Sequence, residues 1–283
     1  MKRSDSDVKV NSYSEAVVTK PVTDLHAMTN ARSERVTQVI LGTPLVVGKG
    51  RKNWLWVTTP DAYKGWIEAS AIRRLKLHEP RYATRGQIAL VTSNVGVVYL
   101  ERFGEPRESL TVTLGTRLEL VAEESHRFRV RLPDRRLGWV TKECVVVRDG
   151  EFQYPLTSRR RVVETSKRFL GVPYLWGGTT PLGFDCSGMV QLTFNLNGVN
   201  LPRDADQQFQ IGRPIGVDDL EPADLLFFSN KSSGITHVGI FIGDGKFLHS
   251  SGKAKGVTVT PFKDRFFQSV FVGARGVWRS QSN

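Results

Sequence analysis

Two cysteines, Cys144 and Cys186, and five histidines, His26, His78, His126, His237 and His249, are the side chains of this 283-residue chain best suited to nucleophilic and acid–base work. Two thiols are too few for a disulfide framework or an all-cysteine zinc site, so at least one is free for chemistry. A free thiol ionises near pH ~8.5, and only a small fraction is thiolate at neutral pH. It needs help from its surroundings. After Phe184-Asp185 the sequence turns helical, with Met189, Val190, Thr193, Phe194 and Asn197 at helical spacing and Gly198 to end the run. That places Cys186 at the positive end of a helix, where a thiolate is favoured, and a nearby imidazolium would favour it further.

The question is then which histidine reaches it. His237 and His249 occupy successive β-type segments, 236–242 and 246–250. Both numbers are odd, so the two side chains share a face of an antiparallel hairpin only if the loop holds an odd number of residues. Gly243-Asp244-Gly245 suits a three-residue loop, a type I turn followed by a left-handed glycine. That loop pairs Ile242 with Lys246, Gly239 with His249 and His237 with Ser251, and makes the two histidines diagonal neighbours roughly 6 to 8 Å apart. A two-residue Asp-Gly turn would put them on opposite faces. The expected assignment is Cys186 as nucleophile, His237 as base and His249 as the group that fixes the base's tautomer.

The elements that must position these residues can be read outward from them. Ser158 caps a helix expected to run to Leu170, with Val162, Val163, Ser166, Phe169 and Leu170 on one side, Gly171 beyond its end and Pro173 forbidding continuation. A glycine-rich loop follows at 174–181, then the cysteine helix, then β-type segments at 225–228, 236–242, 246–250, 256–260 and 270–277. Helices first and an antiparallel sheet after make this part α+β. The front half has a different texture. Shifting the chain by 73 positions aligns Val39-Ile40-Leu41-Gly42-Thr43 with Val112-Thr113-Leu114-Gly115-Thr116, Val57 with Val130, Pro60-Asp61 with Pro133-Asp134, and Gly65-Trp66-Ile67 with Gly138-Trp139-Val140. Two copies of one small all-β barrel are expected, each with its tryptophan packed inward.

Several ordered motifs then resemble a known family: Pro173-Tyr174-Leu175-Trp176-Gly177-Gly178, Phe184-Asp185-Cys186-Ser187-Gly188, Leu201-Pro202-Arg203-Asp204-Ala205-Asp206-Gln207, Asp224 to Phe228, and His237 through His249. They resemble the NlpC family of cell-wall cysteine peptidases, a trimmed papain-like fold, over residues 155–279. Gly-Trp-Ile and Gly-Trp-Val resemble the late strand of bacterial SH3-like (SH3b) domains. The implied organisation is a flexible terminus at 1–15, an SH3b-like domain at 16–76, a linker at 77–86, a second SH3b-like domain at 87–149 and the peptidase domain at 155–279. On this resemblance Cys186, His237 and His249 are the catalytic triad and Tyr174 supplies an active-site or oxyanion hydroxyl. The domain order is similar to YkfC-like γ-D-glutamyl-L-diamino acid endopeptidases, which implies murein peptides with a free amino-terminal L-Ala as substrates. Their ammonium would be held by Tyr63, Asp185 and Ser187. Tyr63 corresponds to Arg136 in the second copy, so the shared fold does not require a tyrosine there. Two positions depart from the pattern: Ala223, where relatives commonly have glycine, and Thr43, where they often have an acid.

Composition narrows the partners. Forty Lys plus Arg against 28 Asp plus Glu give a net charge of +12, and +8 of it lies in residues 1–150. Such charge draws a protein towards polyanions, an anionic wall polymer among them. Nothing resembles a zinc finger, a basic helix or an aromatic RNA-binding strand, so nucleic acid is not an expected partner. No window has the apolar length of a membrane span, no signal peptide is visible, and no metal or organic cofactor is implied. A monomer is expected, cytoplasmic if the chain is complete and periplasmic or wall-associated otherwise. The alternatives are a wall-binding protein whose barrels tether an inert papain-like module, and an amidase or acyltransferase on the same fold.

Overall fold

A computed structural model of the chain describes residues 14–102, 105–230 and 234–278. The chain divides into two compact units, Met1–Phe152 and Gln153–Asn283. Most of the expected flexible terminus, residues 1–13, lies outside the described residues, whereas Ser14 and Glu15 already belong to the first strand.

In the first unit the 73-residue repeat becomes two seven-stranded antiparallel sheets. The first comprises β1 (Ser14–Val18), β2 (Val22–His26), β3 (Arg35–Ile40), β4 (Pro44–Arg51), β5 (Trp54–Thr58), β6 (Lys64–Glu68) and β7 (Ile72–Arg74), in the spatial order β3-β2-β6-β5-β4-β1-β7. The second comprises β8 (Gln87–Val91), β9 (Val95–Arg102), β10 (Glu105–Thr113), β11 (Arg117–Glu123), β12 (Arg127–Arg131), β13 (Leu137–Thr141) and β14 (Val145–Asp149). Its order, β10-β9-β13-β12-β11-β8-β14, repeats the first strand for strand. Even the register repeats, since Trp56 pairs with Trp66 and Val57 with Gly65, as Arg129 pairs with Trp139 and Val130 with Gly138. Among the described residues the end strands of each sheet are not hydrogen-bonded to each other, so the ladders do not close into the expected barrels.

The inward tryptophans expected from the sequence are not found. Side chains alternate across a strand, and in β6 and β13 the inward positions go to Gly65 and Ile67, and to Gly138 and Val140. Trp66 and Trp139 therefore take the outer face. The glycines are the reason: a Cβ at Gly138 would sit 2.7 Å from Val98, and one at Gly65 2.9 Å from Leu25. The core comes that close, and the strand's other face is left to the indole. Trp66 stands edge-on to Trp56 with ring centroids 5.3 Å apart, and the Arg127 guanidinium lies 4.0 Å over Trp139.

The expected linker, 77–86, does more than separate the sheets. Tyr82 is buried, donates its hydroxyl to the Arg131 carbonyl at 2.6 Å and accepts from the Glu119 N–H at 3.2 Å. A Cβ on Gly42 would touch its ring at 3.0 Å. Leu41, carried by the turn after β3, belongs to the core of the second sheet together with Val98, Leu118 and Val130.

In the second unit α1 (Arg159–Lys167) is capped by Ser158, whose hydroxyl accepts from the Arg161 N–H. It ends three residues earlier than expected, and Leu170 is exposed. The short pair β15 (Thr179–Thr180) and β16 (Gly183–Phe184) leads into α2 (Cys186–Asn195), followed by α3 (Ala205–Phe209). A six-stranded antiparallel sheet holds β17 (Arg213–Ile215), β18 (Leu225–Phe228), β19 (His237–Gly243), β20 (Lys246–Ser251), β21 (Gly256–Pro261) and β22 (Phe271–Gly276) in the order β17-β22-β18-β19-β20-β21. A short α4 (Arg265–Ser269) precedes β22. The buried face of α2, Met189, Val190 and Phe194, packs this helix on β19 and β20.

Candidate active site

Cys186 is the first residue of α2, and Asp185 before it is the cap. One Asp185 oxygen accepts from the Gly188 N–H at 2.7 Å and the Ser187 hydroxyl at 3.3 Å; the other accepts from the Gly177 N–H at 3.0 Å. Arg203, 2% exposed, forks onto both oxygens at 3.1 and 2.6 Å and donates to the Ser187 hydroxyl oxygen at 2.8 Å. Gln208 ties the same turn down through its amide, which donates to the carbonyls of Ser187 at 3.1 Å and Pro202 at 2.8 Å. Gly188 allows the glycine-rich loop to approach, because a Cβ there would meet the Gly178 carbonyl oxygen at 2.2 Å. The head of α2 is thus fixed by a buried carboxylate–guanidinium pair. Asp185 and Ser187, expected to face a substrate ammonium, are both engaged within the protein.

The hairpin of β19 and β20 departs from the expected turn. Ile240 pairs with Leu248 and Phe241 with Phe247, but Gly243, not Ile242, pairs with Lys246. Asp244 and Gly245 form a two-residue turn with φ of 52° and 61°, as a type I′ turn requires. Such a turn alone would separate the histidines. The bulge between Phe241 and Gly243 adds the one residue that restores the parity. Continued from Ile240, the register sets Gly239 opposite His249, and the histidines share a face after all.

Their contact is direct. His237 Nε2 lies 2.7 Å from His249 Nδ1, the rings stand 80° apart with centroids at 4.9 Å, and His249 Nε2 lies 3.0 Å from the Thr260 hydroxyl. Phe228, Phe247 and Phe267 wall the pair, with Phe267 edge-on to His249 at 5.1 Å. Burial among these rings pushes the His237 imidazolium down to about 4, against a pull upward from Asp185, and pushes His249 down to about 3 with help from His237. Cys186 keeps partial exposure, and its sulfur faces the backbone N–H groups of Val238 and Ser187. Those donors and Arg203 favour the thiolate, but burial and the Asp185 charge outweigh them and push the thiol up to about 12. Both shifts favour the uncharged forms at neutral pH, a thiol at Cys186 and a neutral imidazole at His237, which differs from the thiolate favoured by helix position alone. Tyr174, half-buried, is likewise pushed up to about 12, by burial and then by Cys186 and Asp185, so its hydroxyl remains a donor.

Cys186, Asp185, Ser187, Tyr174, His237 and His249 all belong to the second unit, whereas Tyr63 lies in the first, half-buried before β6. Cys144 is there too, half-buried beside the Thr141 hydroxyl. Arg203 stands in the 201–207 motif with nothing local to mark its role, and no local signal marks Gln208, Thr260 or Phe267. Ala223 occupies the turn Glu221–Asp224 at φ 74°, a left-handed conformation that glycine adopts freely. Among the described residues no three His, Cys, Asp or Glu are grouped to hold a metal ion, and no helix is long and apolar enough to cross a membrane.

Comparison with known proteins adds the relatives. The NlpC/P60 family matches residues 171–276, and a bacterial dipeptidyl-peptidase Sh3 domain matches residues 26–72. A γ-D-glutamyl-L-lysine dipeptidyl-peptidase of Bacillus cereus is 30% identical over 260 residues, covering 88% of this chain and 76% of its own. Its namesake from Bacillus subtilis is 28% identical, covering 84% and 80%. The crystal structure of an NlpC/P60 family protein from Bacillus cereus superposes with a TM-score of 0.83 at 24% identity, over 93% of this chain and 99% of that one. The fold is therefore shared along nearly the whole length.

Proposed function

Because the chain belongs to the NlpC/P60 family of cysteine peptidases, we propose that it hydrolyses the bond between γ-D-glutamate and an L-diamino acid in murein peptides. The observation that carries this reading is a thiol at a helix head, its sulfur facing the backbone N–H of Val238 next to His237, in the same unit as a bonded pair of histidines. His237 uses Nε2 on His249 and so has Nδ1 left for the thiol. Attack and proton transfer go together, since neither group is charged at rest: the Cys186 proton passes to His237 as sulfur bonds to the glutamyl carbonyl carbon. The oxyanion takes hydrogen bonds from the Cys186 N–H and the Tyr174 hydroxyl. His237 then protonates the departing amine, the thioester forms, and a water activated by the same imidazole releases the acyl group.

The finer parts of the reading are the two SH3-like domains at 16–76 and 87–149, the peptidase domain at 155–279, and a preference for a free amino-terminal L-Ala. Strand-for-strand repetition and the Sh3 match at 26–72 support the first. The amine preference rests on Tyr63, which the second repeat replaces with Arg136, and on the negative charge of Asp185. Incubation with L-Ala-γ-D-Glu-diaminopimelate, its lysine analogue and their N-acetylated forms tests all of this by product mass. Release of L-Ala-D-Glu and free diamino acid is expected, faster from the unblocked peptides. Cleavage at another bond contradicts the reaction; equal rates on blocked and free peptides contradict only the preference.

A further inference from the structure

Resting on that reading, we propose that Thr260 is a positioning residue for the reaction, the acceptor that keeps the His237–His249 pair in the one proton arrangement able to take the thiol's proton. Thr260 lies on β21 two residues beyond Thr258, the residue opposite His249, so it shares the face of the histidines. Its Oγ1 is 3.0 Å from His249 Nε2, and His249 Nδ1 is 2.7 Å from His237 Nε2. A neutral imidazole has one donor and one acceptor nitrogen, so this chain of three groups admits two arrangements. In one, Thr260 donates to His249 Nε2, His249 donates from Nδ1, and His237 is protonated on Nδ1, where it cannot accept. In the other, Thr260 accepts from His249 Nε2–H, His237 donates from Nε2, and its Nδ1 lone pair is free for the thiol.

Catalysis itself selects the second. Once His237 has taken the proton, both of its nitrogens are donors, so His249 must accept at Nδ1 and donate from Nε2. His249 is 1% exposed, and Thr260 is the partner of that Nε2. The half-exposed hydroxyl can turn its own hydrogen to solvent while accepting. With no acceptor at 260, the buried N–H would lose its partner in the charged state that the transition state approaches, whereas the neutral pair could escape by switching tautomer.

Thr260→Val keeps the shape and removes the acceptor. It is expected to lower kcat about 10- to 100-fold, the cost of an unpaired buried donor, with KM within about twofold, and Thr260→Ser should restore most of the loss. Ring ¹⁵N chemical shifts, measured on the wild-type protein and on Thr260→Val, read the tautomer without substrate. His249 should carry its proton on Nε2 in the wild type and shift towards Nδ1 in the valine variant. A wild-type His249 protonated on Nδ1 overturns the proposal, as does a valine variant with unchanged kcat, and the wild-type spectrum decides even if the valine variant fails to fold. If Cys186→Ala retained activity, the reading of the site would fail instead, whatever the spectra show.

Discussion

At the scale of residues, type, spacing and parity single out the cysteine and the two histidines as candidates, because each depends on local pattern: a helix start, two strands and the shared parity of 237 and 249. They do not single out Arg203, since its partner Asp185 is 18 residues away and nothing in Leu201-Pro202-Arg203 marks a buried fork. Its role is nevertheless large. Removing one member of a buried ion pair leaves the other charge stranded, at a cost of about 3 to 5 kcal/mol. Arg203→Met is therefore expected to lower the unfolding free energy by about that amount and to abolish turnover, because Asp185 caps the helix that carries Cys186. Arg203→Lys keeps the charge but not the two-pronged geometry, and should recover part of the stability and less of the activity. Urea denaturation of the three proteins checks this, and an Arg203→Met protein within about 1 kcal/mol of wild type would contradict it.

Among the elements, the hairpin shows how a sequence reading can reach the right face by the wrong turn. Gly243-Asp244-Gly245 contains both a three-residue and a two-residue solution, and only tertiary packing chooses the two-residue turn with its compensating bulge. The tryptophans failed for a related reason. Gly-Trp-Ile allows either face to be the inner one, and the glycine, which permits close approach, decided it. Ala223 is the opposite case, since the departure from glycine was visible and its consequence is a buried alanine at φ 74°. Pro222 is the second residue of the turn, which closes with the Asp224 N–H on the Glu221 carbonyl at 3.0 Å, so Ala223 is the position where a type II turn wants glycine. Left-handed backbone costs a non-glycine residue roughly 1 to 2 kcal/mol, part of which glycine returns through its freer unfolded chain. Ala223→Gly should stabilise the protein by up to about 1 kcal/mol, seen as a rise of a few degrees in Tm with unchanged kcat; a lower Tm would show that the turn is not strained.

For the whole molecule, the charge count said little about function, and the resemblance said most. What neither could supply is the aromatic wall around the histidines, assembled from β18, β20 and the short α4, an element with no strong local signal. That wall makes stability depend on pH. His237 and His249 are depressed in the folded state, to about 4 and about 3, from an unfolded value near 6.5. Between these limits the unfolded chain binds more protons, so stability rises with pH there. The contribution is fully present above about pH 6.5 and is lost as pH falls through about 4 and then 3, amounting to a few kcal/mol for the coupled pair. Tm should therefore fall more steeply between pH 6.5 and 4 for the wild type than for a His237→Asn, His249→Gln double variant. Parallel curves would mean that the imidazoles are freely hydrated.

The central claim is that a single thiol, Cys186, performs the chemistry, and the most direct measurement is turnover of L-Ala-γ-D-Glu-diaminopimelate by Cys186→Ala, followed by product mass with circular dichroism on the same sample. Loss of the nucleophile removes the covalent path and leaves the packing, so a native spectrum with less than about a hundredth of wild-type turnover is predicted. A native spectrum with more than that fraction of activity would contradict it.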